Sequence, residues 1–352
     1  MKIAQIAPLV ESVPPRLYGG TERVVSWLTE ELVAQGHDVT LFASGDSQTS
    51  ARLHPVVPRA LRLDGIHNSL PYNIIMLDQV AARMADFDVL HFHIDFFHYP
   101  LFRNFADRTV TTLHGRQDLP EMPDIYRAFP AMPLVSISND QRKPVPPVNW
   151  MGTVYHGLPQ NLFREGDGGG GYLAFLGRIC PDKGPLEAIE IARRAGMRLR
   201  MAAKVDPVDR EYFEQVVGPV LARSPHVEFV GEIDDGQKQE FLGNAKALLF
   251  PICWPEPFGL VMIEAMACGT PVVAFRHGAV PEVLEEKLTG FVVDTVSEAV
   301  AALGRLDELF RPSIRSRFEE RFSATAMARE YSAIYQRLMA VQGTSAGIVR
   351  AA

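Results

Sequence analysis

Short apolar runs alternate with longer stretches in which apolar residues recur every three or four positions, and the alternation occurs twice along the chain. In the first half, Lys2 to Ala7 predicts a strand. Gly20 to Gln35 predicts a helix with Val24, Val25, Leu28 and Leu32 on one face and Gly36 as its stop, and Asp38 to Ala43 predicts the next strand. Further strands are expected at Val89 to His93, Thr109 to Leu113 and Leu134 to Ser138. The run Gly166 to Gly171 then holds five glycines in six residues, favours neither helix nor strand, and predicts a flexible interdomain linker. The pattern restarts with a strand at Tyr172 to Leu176. It continues through Pro185 to Ala195 (helix), Leu199 to Ala203 (strand), Arg210 to Ala222 (helix), Val227 to Val230 (strand), Gln237 to Asn244 (helix) and Ala247 to Phe250 (strand). This order predicts an α/β chain of two doubly wound, Rossmann-like domains, 1–165 and 166–322, with a ligand cleft between them. After these, Ser323 is placed to cap a final helix, 323–340, whose Met327, Tyr331, Ile334, Tyr335 and Leu338 share an apolar face that needs a partner. The small, polar tail from Gln342 is expected to fray.

Composition narrows the function classes. A chain of 352 residues, 47% hydrophobic and 22% charged, has enough apolar material for two cores. A net charge of −7 argues against generic nucleic-acid binding and against electrostatic attachment to anionic lipid. Cys180, Cys253 and Cys268 form no CxxC pair, so they are expected to be small buried hydrophobes in a reducing, cytoplasmic compartment rather than a disulfide or zinc framework. Met1 to Ala7 lacks the apolar core of a signal peptide, and no run reaches the length of a membrane span.

The richest chemistry lies between Glu256 and Pro271. Leu260 to Ala267 are apolar or strong helix formers, Gly269 suits a helix C-terminus, and Pro271 to Phe275 predicts a buried strand. Phe258, Gly259 and Leu260 therefore bring backbone N–H groups to a helix start, which attracts a diphosphate through unpaired donors and the helix dipole. Glu256 precedes that start and Glu264 lies about two turns into the helix, roughly 12 Å further along the axis at about 1.5 Å per residue. Two acceptors so spaced can hold two hydroxyl-bearing parts of one extended ligand. The duller alternative is a solvated loop carboxylate and a helix-surface carboxylate.

The stretch Glu256 to Ala274 resembles the signature of the retaining family-4 glycosyltransferases of the GT-B fold. Gly19-Gly20-Thr21-Glu22, His114 after the strand Thr109 to Leu113, Gly177-Arg178 with Lys183-Gly184, and Pro281-Glu282 with Thr289-Gly290 carry the same resemblance along nearly the whole chain. Within the family, Tyr18 to Glu22, Ala43 to Ser47 and His91 to Asp95 are similar to the branch containing avilamycin-type antibiotic glycosyltransferases. The resemblance implies a nucleotide-sugar donor held mainly by the C-terminal domain, a final helix that packs back on the first domain, and transfer to an acceptor hydroxyl with retention. It implies that Glu256 holds hydroxyls of the donor sugar, Glu264 the ribose, and that His114 sits beside the transferred sugar.

Elementary chemistry gives the remaining residues work. Charge builds on the departing phosphate as the sugar acquires oxocarbenium character, so cations or dipoles are needed there. Arg178 and Lys183 follow a strand's carboxyl end, where open parallel sheets bind ligands, and Gly19 and Gly20 occupy the matching loop of the first domain. His93 and Asp95, also at a strand end, are candidates for the acceptor side, while His91, His93, Asp95 and His98 lack the spacing of a zinc hydrolase. Asp86-Phe87-Asp88 precedes its strand and reads as a turn, and no catalytic metal or cofactor is expected. UDP-glucose is the first expectation for the donor, with other UDP sugars, GDP-mannose and ADP-glucose behind it. Small-molecule, lipid and polysaccharide acceptors stay open, with Leu61 to Tyr72 and Arg116 to Pro130 expected as acceptor-recognising loops. A sugar-nucleotide epimerase of the same fold is the alternative. A dinucleotide oxidoreductase is disfavoured because Gly19-Gly20-Thr21-Glu22 is not a GxGxxG loop.

Overall fold

The computed structural model describes residues 1–16 and 19–350, with side chains described through Ala340. Tyr18 and the side chains of the tail from Gln342 lie outside the described residues. The chain divides into two compact units, Met1–Pro159 with Ala324–Ala352, and Gln160–Ser323.

The first unit is a seven-stranded, wholly parallel sheet. Its strands are β1 (Lys2–Ile6), β2 (Asp38–Ser44), β3 (Arg52–Val57), β4 (Val89–Phe92), β5 (Thr109–Thr112), β6 (Leu134–Ser136) and β7 (Trp150–Thr153), in the order β3-β2-β1-β4-β5-β6-β7. The order turns back between β1 and β4, the switch point at which open α/β sheets bind ligands. Strands β1, β4 and β5 are buried almost throughout, which is why they read as continuous apolar or small-residue runs. The helix Gly20–Ala34 buries Val24, Val25, Leu28 and Leu32 as its spacing requires. Helix Ala324–Arg350 belongs to the same unit and begins one residue after Ser323, its first N–H donated to the Leu158 carbonyl. Its Met327, Tyr331, Ile334, Tyr335 and Leu338 are all buried.

The second unit carries β8 (Tyr172–Arg178), β9 (Arg198–Lys204), β10 (Val227–Gly231), β11 (Ala247–Phe250), β12 (Val272–Phe275) and β13 (Gly290–Val293), parallel throughout and ordered β10-β9-β8-β11-β12-β13. Its switch point falls between β8 and β11. The helix expected at Arg210 to Ala222 contains a wider π turn at Phe213–Val217, followed directly by Gly218–Ala222. Pro219 lacks the N–H that would bond the Gln215 carbonyl four residues back, so the regular ladder gives way there. The helix expected from Gln237 starts at Asp235, because Asp234 caps it: Gln237 N–H donates to Asp234 Oδ1 at 2.9 Å, and Asp234 N–H to Gln237 Oε1 at 3.0 Å.

Three sequence expectations are corrected. Gly166 to Gly171 is not a free linker: it lies inside the second unit, with the N–H groups of Gly166, Gly168 and Gly170 donated to the carbonyls of Cys268, Gly243 and Asn244. Arg311 also donates to the Gly166 carbonyl at 2.7 Å, and a Cβ on Gly166 would lie 2.2 Å from the Gly243 carbonyl oxygen, so glycine here serves close backbone approach. The segments Leu61 to Tyr72 and Arg116 to Pro130 are not wholly loop, since a helix spans Leu70–Arg83, a 3-10 turn Leu61–Asp64 and a helix Met122–Ala128. Cys180 and Cys268 are buried as expected, but Cys253 is exposed. The residues Met84–Asp86 form a 3-10 turn ahead of β4, in keeping with the reading of Asp86 to Asp88.

Candidate active site

In the second unit the switch point gathers charge. Arg178 ends β8, and Lys183 follows in a 3-10 turn closed by Gly184 in the left-handed region at φ 67°. A Cβ on Gly184 would lie 2.0 Å from the Pro251 carbonyl oxygen, so only glycine lets this loop lie against the end of β11. That approach brings Lys183 onto Glu256, with the ammonium in direct contact with Glu256 Oε2. Trp254 Nε1–H donates to the same oxygen at 3.0 Å, and the ammonium stands 4.9 Å from the Trp254 ring centroid. Arg178 forms an ion pair with Asp209, Nε to Oδ2 3.2 Å, without the alignment of a hydrogen bond.

The helix Leu260–Ala267 starts where the sequence predicts, with Gly259 as its N-cap at φ 83°. A side chain on Gly259 would collide with Met262 and the Phe250 ring. Phe258 is buried edge-on against Phe322, so its side chain belongs to the core and only its backbone is placed to serve a ligand. Glu264 is 4% exposed and bonded to Lys238 (Nζ to Oε1 2.8 Å), which also pairs with Asp235. Trp254, Asp209 and Lys238 are the residues that sequence reasoning missed. Trp254 stands two positions before Glu256 and could have been noticed, whereas Lys238 pairs across 26 residues and carries no local signal.

The first unit arranges neutral groups instead. Gly19 caps the helix Gly20–Ala34, which follows the loop after β1, with φ 155°. Glu22 in its first turn is buried, and that desolvation pushes its carboxyl up to about 7. His93 and Asp95 follow β4, and His114 follows β5. His93 Nδ1 lies 2.9 Å from His114 Nε2, and the His114 ring stacks on that of His156 at 5.3 Å between centroids. Burial holds His91, His93, His98 and His156 well below the usual imidazole range and pushes His114 down to about 3, so these rings are neutral at pH 7. Asp95 adopts φ 52° and is pushed up to about 6 by burial. His98 is a core histidine stacked on Phe92 and bonded to Thr111, apart from His91 and His93.

Comparison with known proteins follows the same division. Residues 18–142 match the model described as Glycosyltransferase Family 4, and residues 164–325 match that of Glycosyl transferases group 1. The chain belongs to the family-4 glycosyltransferases. It is an enzyme of the GT-B fold. This glycosyltransferase is 26% identical to the N-acetyl-alpha-D-glucosaminyl L-malate synthase of Bacillus anthracis, over 90% of its own chain and 93% of that protein. Its fold is shared with AviGT4, a glycosyltransferase involved in avilamycin A biosynthesis, at a TM-score of 0.72 and 24% identity, covering 96% and 98% of the two chains. Anabaena Alr3699/HepE, solved in complex with UDP and glucose, has a TM-score of 0.72 at 17% identity, covering 96% and 100%. The epimerase alternative gains no support from these relatives. Among the described residues no helix is long and apolar enough to cross a membrane.

Proposed function

We propose that this glycosyltransferase moves a hexose from a nucleoside-diphosphate sugar, UDP-glucose first among them, to an acceptor hydroxyl with retention of anomeric configuration and without a metal ion. The observation that carries the reading is the meeting of Lys183, Trp254 and Glu256 at the second unit's switch point, beside a helix start capped by Gly259. HepE, a protein of the same fold solved with UDP and glucose, supports the choice of donor.

In this reading Arg178 and Lys183 bind the diphosphate and meet the charge that develops on the leaving phosphate, helped by backbone N–H groups at Phe258, Gly259 and Leu260. Lys183 then exchanges part of its contact with Glu256 for phosphate oxygen. The freed carboxylate, still held by Trp254, accepts hydrogen bonds from sugar hydroxyls. Glu264 receives the ribose hydroxyls while Lys238 keeps its charge balanced. Gly19 and Gly20 present the helix start of the first unit to the diphosphate, His114 contacts the transferred sugar, and His93 and Asp95 serve the acceptor side. The acceptor attacks from the face the diphosphate leaves, its proton passing to the leaving phosphate, so no protein nucleophile is needed.

The test is a panel of sugar nucleotides assayed for nucleotide release with and without a chelator, followed by NMR of the product anomer. UDP-glucose turnover that survives chelation and yields the donor's anomer is expected. Absence of turnover across the panel sinks the transferase donor reading, loss only with chelator sinks metal independence, and an inverted anomer sinks retention.

A further inference from the structure

Seven side chains of the first unit form one unbroken hydrogen-bonded chain that ends at His114. From the C-terminal helix, Tyr331 OH lies 2.8 Å from Thr112 Oγ1, which lies 2.7 Å from His91 Nε2. His91 Nδ1 lies 2.7 Å from Tyr335 OH, which lies 3.2 Å from Gln5 Nε2. Gln5 Oε1 lies 2.7 Å from His93 Nε2, and His93 Nδ1 lies 2.9 Å from His114 Nε2. Every member before His114 is at most 3% exposed, so water does not compete for these contacts.

A chain of neutral groups has a direction, because each neutral imidazole donates from one nitrogen and accepts at the other. Gln5 is the only member with a dedicated donor and a dedicated acceptor. Its carbonyl can only accept, so His93 carries hydrogen on Nε2 and has a bare Nδ1. That bare nitrogen accepts from His114 Nε2–H, which leaves the lone pair of His114 on Nδ1. In the other direction the Gln5 amide donates to Tyr335, whose hydroxyl donates to His91 Nδ1, and His91 Nε2–H donates to Thr112. Turning Gln5 over would reverse every bond and put hydrogen on His114 Nδ1. The distances favour the first sense: 3.2 Å between Gln5 and Tyr335 is long for a hydroxyl donating to a carbonyl, but close to the range for an amide donating to a hydroxyl. Among the described residues His114 Nδ1, itself buried, meets no hydrogen-bond partner, a state that costs about 1–3 kcal/mol until a donor arrives.

We infer that Gln5 is a positioning residue: through His93 it fixes His114 as the Nε2–H tautomer, so that the ring accepts a hydrogen bond from a hydroxyl of the transferred sugar instead of donating one. The ligand half of this assignment rests on the reading of His114 as a sugar contact. Gln5 lies on β1 and acts through His93, and the tyrosines that complete its arm come from the C-terminal helix, which ties that helix to the tautomer.

The experiment uses the full chain labelled with ¹⁵N-histidine and two-bond ¹H–¹⁵N correlation spectra, with the His114 signals identified by their loss in His114→Asn. The unaltered protein is expected to show His114 protonated at Nε2. Gln5→Glu, which keeps an oxygen for His93 N–H, should retain that pattern and most activity. Gln5→Leu should give a mixture of tautomers and about tenfold lower kcat/KM. Hydrogen on Nδ1 in the unaltered protein, or an unchanged His114 tautomer in folded Gln5→Leu, overturns the inference. Should Gln5→Leu not fold, the unaltered protein's spectrum decides alone. Addition of UDP-glucose should shift the His114 Nδ1 signal. No shift in a protein that turns the donor over overturns the ligand half, whereas the expected tautomer in a protein that turns over no sugar nucleotide upholds the role of Gln5 and overturns the donor reading instead.

Discussion

The two units solve opposite electrostatic problems with the same sheet architecture. Around the second unit's switch point the charged side chains of the candidate site are paired: Lys183 with Glu256, Arg178 with Asp209, Lys238 with Glu264. Around the first unit's switch point the linked polar groups are neutral, a run of histidines, tyrosines, Thr112 and Gln5, and burial makes the acids Glu22 and Asp95 harder to ionise, pushed up to about 7 and about 6. The difference teaches what each side is built to hold. Paired charges can be exchanged for a ligand's own charges, which suits a diphosphate, whereas a neutral directional chain sorts donors from acceptors, which suits sugar hydroxyls.

The comparison predicts unequal costs for disturbing the two sides. The largest belongs to Arg178→Ala combined with Lys183→Ala. Loss of two charge-assisted contacts at roughly 1.5–3 kcal/mol each should weaken UDP binding by about a thousandfold, measured by calorimetry. Equal affinity would remove the second unit's charges from the account. Next comes Glu264→Ala, which leaves the part-buried Lys238 ammonium, 14% exposed, with Asp235 as its remaining ion-pair partner and should lower stability by about 2–3 kcal/mol in urea unfolding. Glu264→Gln should cost less.

Glu22 extends the contrast to pH. Its folded pKa of about 7 exceeds the ordinary value of 4.5, so between those values the folded chain keeps a proton that the unfolded chain has lost. Stability must therefore fall as pH rises through this window, by at most about 3 kcal/mol, and Glu22→Gln should flatten that slope in denaturant titrations at pH 5 and pH 8. A slope unchanged by Glu22→Gln would leave the first unit's acids ordinary. The smallest effect is expected for Tyr331→Phe, which removes the last hydroxyl of the neutral chain from Thr112 and should cost about 1 kcal/mol. A cost matching that of Glu264→Ala would erase the asymmetry.

Much of this was legible along the chain because local physics decided it. Leu260–Ala267 begins and ends where Gly259 and Gly269 require, and the buried parallel strands announce themselves as apolar runs. The strands β3, β7 and β13 escaped notice for identifiable reasons. The edge strand β3 is half exposed and contains Pro55, while β7 and β13 each hold a glycine within four residues. The glycine run misled because composition reports freedom in the unfolded chain. What fixes it is the set of carbonyls at Gly243, Asn244 and Cys268 and the distant Arg311. In the candidate site Glu256, Glu264, Arg178 and Lys183 were visible singly, but their partners were not, since an ion pair across 73 residues leaves no periodicity. The histidine layer shows the same limit. His91 and His93 share a strand face by period two, yet the Tyr331 and Tyr335 hydroxyls that complete their chain lie more than two hundred residues away.

The central claim is that the paired charges of the second unit await a nucleoside diphosphate bearing a sugar. Calorimetric titration of the unaltered protein with uridine, UMP, UDP and UDP-glucose tests it most directly. The largest gain in affinity is expected on going from UMP to UDP, when the second phosphate reaches Arg178 and Lys183, together with measurable binding of UDP-glucose. Affinity that does not change with the second phosphate, or no binding of UDP-glucose at all, would contradict it.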